Sequence, residues 1–290
     1  MCAAFTFEHP TTMTLSSKVS LRIPGGMRVP ADYPYVHTGD HLIDKCEAAW
    51  SDGEGDDAPL SFRLIGPPGV GKNAAVFALA ARRRQPLYIV LGTEELTAED
   101  LAVSAALLPD GSVQYVASPL LAAMLGGGIC FIDEIAKMRP RALAPLSSVL
   151  DSRRSLSSAL LGETFEARPS FRLCAAYNPT DVDAFDLPPW LKRRTLPELQ
   201  VAAPDWSALE QIVLSSGTAS RRVGRAVLAH ARKIGRELDP ASVGGLVAYA
   251  ERIAAFAKRN KVDLGDEISV AFRHMLAEGK GADASSAGEE

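Results

Sequence analysis

Gly66-Pro67-Pro68-Gly69-Val70-Gly71-Lys72-Asn73 lies between a short apolar run, residues 62–65 (Phe-Arg-Leu-Ile), and an alanine-rich segment, residues 74–81. Strand, glycine loop, helix is the order a phosphate-binding loop requires. Glycines let successive N–H groups turn inward round a polyphosphate, the helix N-terminus adds the positive end of its dipole, and Lys72 can reach the β- and γ-phosphates. Gly66, Pro68, Gly69, Val70, Gly71, Lys72 and Asn73 are therefore the expected nucleotide-binding residues. One position departs from the pattern: Asn73 stands where Ser or Thr would offer Mg²⁺ a hydroxyl.

Outward from the loop, residues 87–91, 129–132, 171–177 and 196–201 read as further strands, with residues 118–125 and 141–150 as helices between them. Residues 108–116, with Pro109-Asp110-Gly111, predict a small hairpin or loop, and residues 157–169 a second hairpin about Leu161-Gly162-Glu163. Upstream, Asp40 reads as the N-cap of a helix over 41–50, and residues 51–57 as an acidic loop. The alternation predicts an α/β fold, a parallel sheet with helices on both faces, whose ligands bind at the C-terminal strand ends. Beyond Pro204 only helical periods follow, over 208–214, 221–234, 241–258 and 266–276. The expected organisation is a loose arm or edge hairpin (1–32), an α/β nucleotide-binding domain (33–203), a small all-α lid (204–278) and a disordered tail (279–290).

A second element sharpens the first. Residues 129–132 (Ile-Cys-Phe-Ile) end in Asp133-Glu134, two carboxylates at a strand end, where one can hold Mg²⁺ and the other polarise an attacking water. Solvated acids closing a strand are the plainer alternative, which the loop upstream outweighs. Asn178, at the end of the next strand, can orient that water, although Asn-Pro also starts turns. Trp190-Leu191-Lys192-Arg193-Arg194 puts a cationic helix end just before the last strand.

The loop GPPGVGKN, the run ICFIDEIAKMRPRALAPLSSVLDSRR, the hairpin after it and FRLCAAYNP together resemble the MoxR-like branch of the AAA+ ATPases, over about residues 33–200. The resemblance implies ATP and Mg²⁺ as ligands. Lys72 would bind phosphates, Asp133 would hold Mg²⁺ with Asn73 beside it, and Glu134 would be the catalytic base. Asn178 would be sensor 1, and Arg194, with Arg193 as its alternate, the finger that completes a neighbour's site. Val36 and His37 are candidates for enclosing the adenine. It further implies a homo-oligomeric ring, most simply a hexamer, and a protein client, often one with a von Willebrand A domain. The family's sensor-2 arginine is expected near Pro240-Ala241-Ser242-Val243-Gly244-Gly245, which contains no arginine. With Asn73, this opens a rival reading as an ATP-binding switch that hydrolyses slowly.

Composition bounds the remainder. With 31 basic and 35 acidic residues the chain carries a net charge of −4, which argues against a non-specific nucleic-acid binder or a nucleic-acid motor. Four cysteines without a CxxC pair predict core residues in a reducing compartment, and no apolar run has the length of a membrane span, so the expected location is cytoplasmic. His37 and His41 have a spacing that can bind zinc, but the cap at Asp40 places His37 before the helix. Arg82-Arg83-Arg84 reads as the basic last turn of the helix after the loop.

Overall fold

The computed structural model describes residues 4–16, 19–36, 41–51, 59–215 and 218–275. Four short strands come first: β1 (Thr6–Phe7), β2 (Thr11–Thr14), β3 (Ser20–Ile23) and β4 (Met27–Arg28). They are followed by α1 (Leu42–Trp50), β5 (Phe62–Ile65), α2 (Lys72–Arg83), β6 (Leu87–Leu91) and the hairpin β7 (Val103–Leu107) with β8 (Val113–Ala117). Next come α3 (Pro119–Gly126), β9 (Ile129–Asp133), α4 (Leu146–Val149), the hairpin β10 (Ser155–Ser158) with β11 (Glu163–Glu166), β12 (Arg172–Tyr177), α5 (Pro189–Arg194) and β13 (Glu198–Gln200). The chain then runs through α6 (Trp206–Ser215), α7 (Thr218–Lys233), α8 (Pro240–Asn260) and α9 (Glu267–Met275). It divides into two compact units, one ending at Ala202 and one beginning at Ala203.

The larger unit is built on a sheet of order β1-β4-β6-β9-β12-β5-β13. The five strands from β6 to β13 are parallel, and the inner ones, β9, β12 and β5, are largely apolar runs, as strands buried on both faces are. One face packs Phe62, Leu64, Phe131 and Cys174 against α1 and α2; the other packs Cys130, Ile132, Leu173 and Ala175 against α3 and Leu191 of α5. Because β5 lies between β12 and β13, the chain leaving β5 must cross two strands to reach β6. That reversal of direction opens a crevice at the C-terminal end of β5, where the glycine loop begins.

The described residues up to Arg28 carry four short, paired strands. β1 and β4 extend the main sheet in antiparallel fashion, and the β2–β3 hairpin joins β8 and β7 in a second, four-stranded sheet. β3 and β4 find their second partners, β8 and β6, far along the chain, and strands this short leave little trace in local periodicity. Two helix expectations change. The helix predicted over 41–50 starts at Leu42, because His41 is left-handed at φ 54°; Asp40 lies outside the described residues. The one predicted over 141–150 shrinks to α4. Its first part forms tight turns, Ala142 N–H to Arg139 O at 2.9 Å and Leu146 N–H to Leu143 O at 3.0 Å, since Pro145 has no N–H to give an α-helical ladder.

The smaller unit is all helical. Leu209, Val213, Val227, Leu228, Leu246, Ala250 and Phe272 meet in one apolar core. The expected tail, 279–290, falls outside the described residues, as do His37 and the acidic stretch 52–57. Cys46, Cys130 and Cys174 are buried and form no disulfide. Among the described residues no helix is long and apolar enough to cross a membrane.

Candidate functional site

Gly71 caps α2 at φ 103°, a conformation that a residue with a Cβ adopts only under strain, and it turns the loop into the helix. Lys72 is thereby the first helical residue. Its side chain folds back under the loop, 6% exposed, and Nζ donates to Gly66 O at 2.7 Å and Pro67 O at 2.9 Å. Burial pushes this ammonium's pKa down, while the charges of Glu134 and Asp133 push it back up. Among the described residues this ammonium is held by the loop's own carbonyls, and a cation so placed at a helix N-terminus is suited to polyphosphate.

Asn73, one residue on, donates from Nδ2 to Asp133 Oδ2 at 2.9 Å. A carboxylate only accepts, so the amide must turn its NH₂ end to Asp133, with its oxygen on the other branch. The second oxygen of Asp133 accepts the Glu134 N–H at 3.1 Å. Glu134 itself is left-handed (φ 53°, ψ 43°), a strained conformation for a side-chain-bearing residue, costing about 1–3 kcal/mol. Burial first, and then the charge of Asp133, raise the pKa of its carboxyl. Raised acids beside a buried cation in a cleft are what general base chemistry uses.

Gly92 completes this strand end and went unread in the sequence. Its N–H donates to Asp133 O at 2.7 Å, and a Cβ there would stand 2.3 Å from Glu134 O. Only glycine lets the end of β6 lie against the turn that carries Glu134. The usable signal is a glycine directly after an apolar strand. Asn178 follows β12; its Oδ1 accepts from Thr180 N–H at 3.2 Å and Thr180 Oγ1 at 3.0 Å, which leaves the NH₂ end as donor. Just beyond it Asp181 pairs with Lys137 at 3.2 Å, tying the segment after β12 to the one after β9.

Arg193 and Arg194 do not join this cluster. Arg194 donates to Ser147 O, stands 3.6 Å from Asp151 Oδ2 and lies 6.0 Å over the Trp190 ring. Both arginines line a groove of about 1020 Å³ with Asp151, Leu60, Leu196 and Leu199. The groove adjoins the N-terminal ends of β5 and β13, whereas the phosphate loop follows the C-terminal end of β5. Val36 is half-buried before α1, in a segment whose Tyr33 packs edge-on to Phe77 of α2 at 5.8 Å; His37 is outside the described residues. Arg82 and Arg83, in the last turn of α2, pair with Asp44 and Glu47 of α1, each at 2.8 Å.

With this geometry in place, three similarities to known proteins bear on the family. The family described as AAA domain (dynein-related subfamily) matches residues 61–195. The denitrification regulatory protein NirQ of Pseudomonas aeruginosa is 36% identical over 146 residues, 50% of this chain and 54% of that protein. Protein NorQ of Paracoccus denitrificans is 35% identical over 145 residues, 50% of this chain and 51% of its own length. The chain thus spans about half the length of these curated relatives. An uncharacterized protein of Staphylococcus haemolyticus is 30% identical over 211 residues, 71% of this chain and 77% of that one. The chain belongs to the AAA+ ATPases, in their dynein-related, MoxR-like branch.

Proposed function

We propose, with that membership as the premise, that this chain binds ATP and hydrolyses it in a head-to-tail ring to remodel a partner protein. The observation that carries the reading is the joining of Lys72, Asn73, Asp133 and Glu134 at the C-terminal ends of β5 and β9, the two strands that flank β12, with Arg193 and Arg194 at the other end of β5. An arginine placed there is out of register with its own chain's loop and available to a neighbour's. A contact between unlike surfaces closes into a ring when the rotation permits, here most simply a hexamer.

Each residue then has a task. The loop 66–71 and Lys72 take the β- and γ-phosphates, and Val36 with His37 borders the base. Asp133 and the amide oxygen of Asn73 form the hard oxygen donor pair suited to Mg²⁺, and they adjoin through the bond at 2.9 Å. When bound, the metal would neutralise charge developing on the phosphates. Glu134, its proton affinity raised by burial, accepts the proton of the attacking water, and Asn178 orients that water. The neighbour's Arg194, or Arg193, compensates charge in the transition state. The client is a protein, of which one with a von Willebrand A domain is the form the family reading favours. The buried cysteines, outside any disulfide, are compatible with work in the reducing cytoplasm.

One observation favours a second reading. The hydrogen bond from Asn73 occupies Asp133, and α8 starts at Pro240 without an arginine in its first turns, so nucleotide could be held and turned over slowly, as a switch. Steady-state hydrolysis of wild type beside Glu134→Gln, with nucleotide affinity and oligomer size read in the same samples, separates the two. Hydrolysis falling by about 10²-fold or more with affinity and ring retained supports the motor. Nucleotide bound without turnover in either protein moves the assignment to the switch.

A further inference from the structure

Arg63 is a charge inside a core strand, 2% exposed, two residues before the end of β5. Burying a guanidinium is costly unless its donors are matched, and an apolar residue of the same size would often be as stable or better. What its donors hold is therefore informative. Nη1 donates to Lys192 O at 3.0 Å and Leu191 O at 3.5 Å, and also to Thr195 Oγ1. Nη2 donates to Glu198 Oε2 at 2.7 Å. The two carbonyls belong to the last turn of α5, the end of a helix that favours a cation, and Leu191 O also accepts the Thr195 N–H at 3.0 Å. Arg193 and Arg194 follow those carbonyls directly.

α5 has only six residues, too few to persist by itself. Its last turn is held from within the sheet by Arg63 and from outside by the contact of Arg194 with Ser147. Glu198 is the register partner of Arg63 across β13 and β5. On the other side, Ala175 is its partner on β12, so Tyr177 lies two residues along on the same face; the Tyr177 hydroxyl donates to Glu198 Oε2 at 3.4 Å. Asn178 is the next residue. One hydrogen-bonded set thus touches the strand that feeds the phosphate loop, the strand end that carries Asn178 and the turn that carries the arginine pair.

We infer that Arg63 is a positioning residue: it fixes the last turn of α5 so that Arg193 and Arg194 are aimed at the nucleotide site of a neighbouring copy, and through Glu198 and Tyr177 it joins that turn to the strand end bearing Asn178. The inference rests on the ring reading above. It differs from a stabilising role in one respect: the defect of an Arg63 variant lies in the site its neighbour owns, and its own phosphate loop stays competent.

Mixed oligomers read that difference. Arg63→Met alone should hydrolyse ATP about 10- to 100-fold more slowly, while binding a fluorescent ATP analogue within about twofold of wild type. Lys72→Ala subunits have an intact Arg63 and α5 but no working loop. In an equal mixture, a site is complete when an Arg63→Met subunit sits next to a Lys72→Ala neighbour that supplies the arginine, about one site in four in a head-to-tail ring. Activity should return to about that fraction of wild type. Arg194→Ala mixed with Lys72→Ala is the control. Rescue in the control without rescue of Arg63→Met would overturn the inference and leave the ring reading standing. Failure of both would remove the shared arginine and this inference with it. Should Arg63→Met not fold, Arg63→Lys, which keeps the charge and loses the planar fork, carries the same test.

Discussion

In the α/β unit the buried polar side chains among the described residues are Arg63, Lys72, Ser118, Ser158, Arg172 and Thr195, three of them cations; the helical unit buries Leu209, Val227, Leu246, Ala250 and others like them. Each buried cation is spent on a backbone feature. Lys72 holds the loop carbonyls, Arg63 the last turn of α5, and Arg172 joins Trp50 O at 3.0 Å and Pro169 O at 2.8 Å, tying the start of β12 to the end of α1. The helical unit follows spacing alone, as with Val243, Leu246, Val247, Ala250 and Ile253 on one face of α8. Among the described residues buried cations are therefore confined to the unit that carries the candidate chemistry.

The sharpest way to break that comparison is Lys72→Ala. If Lys72 binds phosphate as proposed, removing its buried ammonium should weaken binding of a fluorescent ATP analogue by about 100-fold or more, about 2.7 kcal/mol. Circular dichroism should be unchanged, because Ala keeps the first turn of α2. A loss under tenfold would mean that Lys72 serves the loop's own carbonyls and little else, and buried charge would no longer mark the site.

Next in size is Asn73→Thr. The exchange removes the NH₂ donor that occupies Asp133 and supplies a hydroxyl at the position where the loop pattern has one. Turnover under saturating ATP and Mg²⁺ should rise about tenfold, about 1.4 kcal/mol in the barrier. Unchanged turnover would mean that Asn73 does not limit hydrolysis.

How much of this was legible in the sequence follows the same division. β5, β6, β9 and β12 were readable because strands buried on both faces are unbroken apolar runs, and α6 to α9 because each has one apolar stripe. Lys72, Asp133 and Glu134 were readable because each sits at a fixed step from a strand end. β1 to β4 were not, since two to four residues carry no usable period and β3 finds β8 across more than 90 residues of chain. Pro145 was visible, yet the apolar spacing of 141–150 concealed that it breaks the ladder. Arg63 drew no reading of its own within the run 62–65, because Glu198, its partner, is 135 residues away. Gly92 had no signal beyond its place after β6; its necessity is set by the backbone of Glu134, which only the folded sheet brings near.

The smallest effect tests the helical unit from its own side. Asp239 caps α8, accepting from Ala241 N–H at 2.9 Å and Ser242 N–H at 3.0 Å. Burial alone would raise the pKa of this carboxyl, but the Ser242 hydroxyl and the two N–H groups outweigh it and hold the pKa below the usual range. Asp239→Ala should cost about 1 kcal/mol in the urea unfolding transition followed by circular dichroism, while Asp239→Asn, which still caps, should cost a fraction of that. A depressed folded pKa means the charge stabilises the fold above the unfolded carboxyl's pKa, and that part is lost as pH falls through the folded value. Wild type should therefore lose its advantage over Asp239→Asn on the acid side. An advantage that persists there would show that the cap acts through hydrogen-bond geometry alone, and that charge contributes nothing to the stability of this unit, exposed or buried.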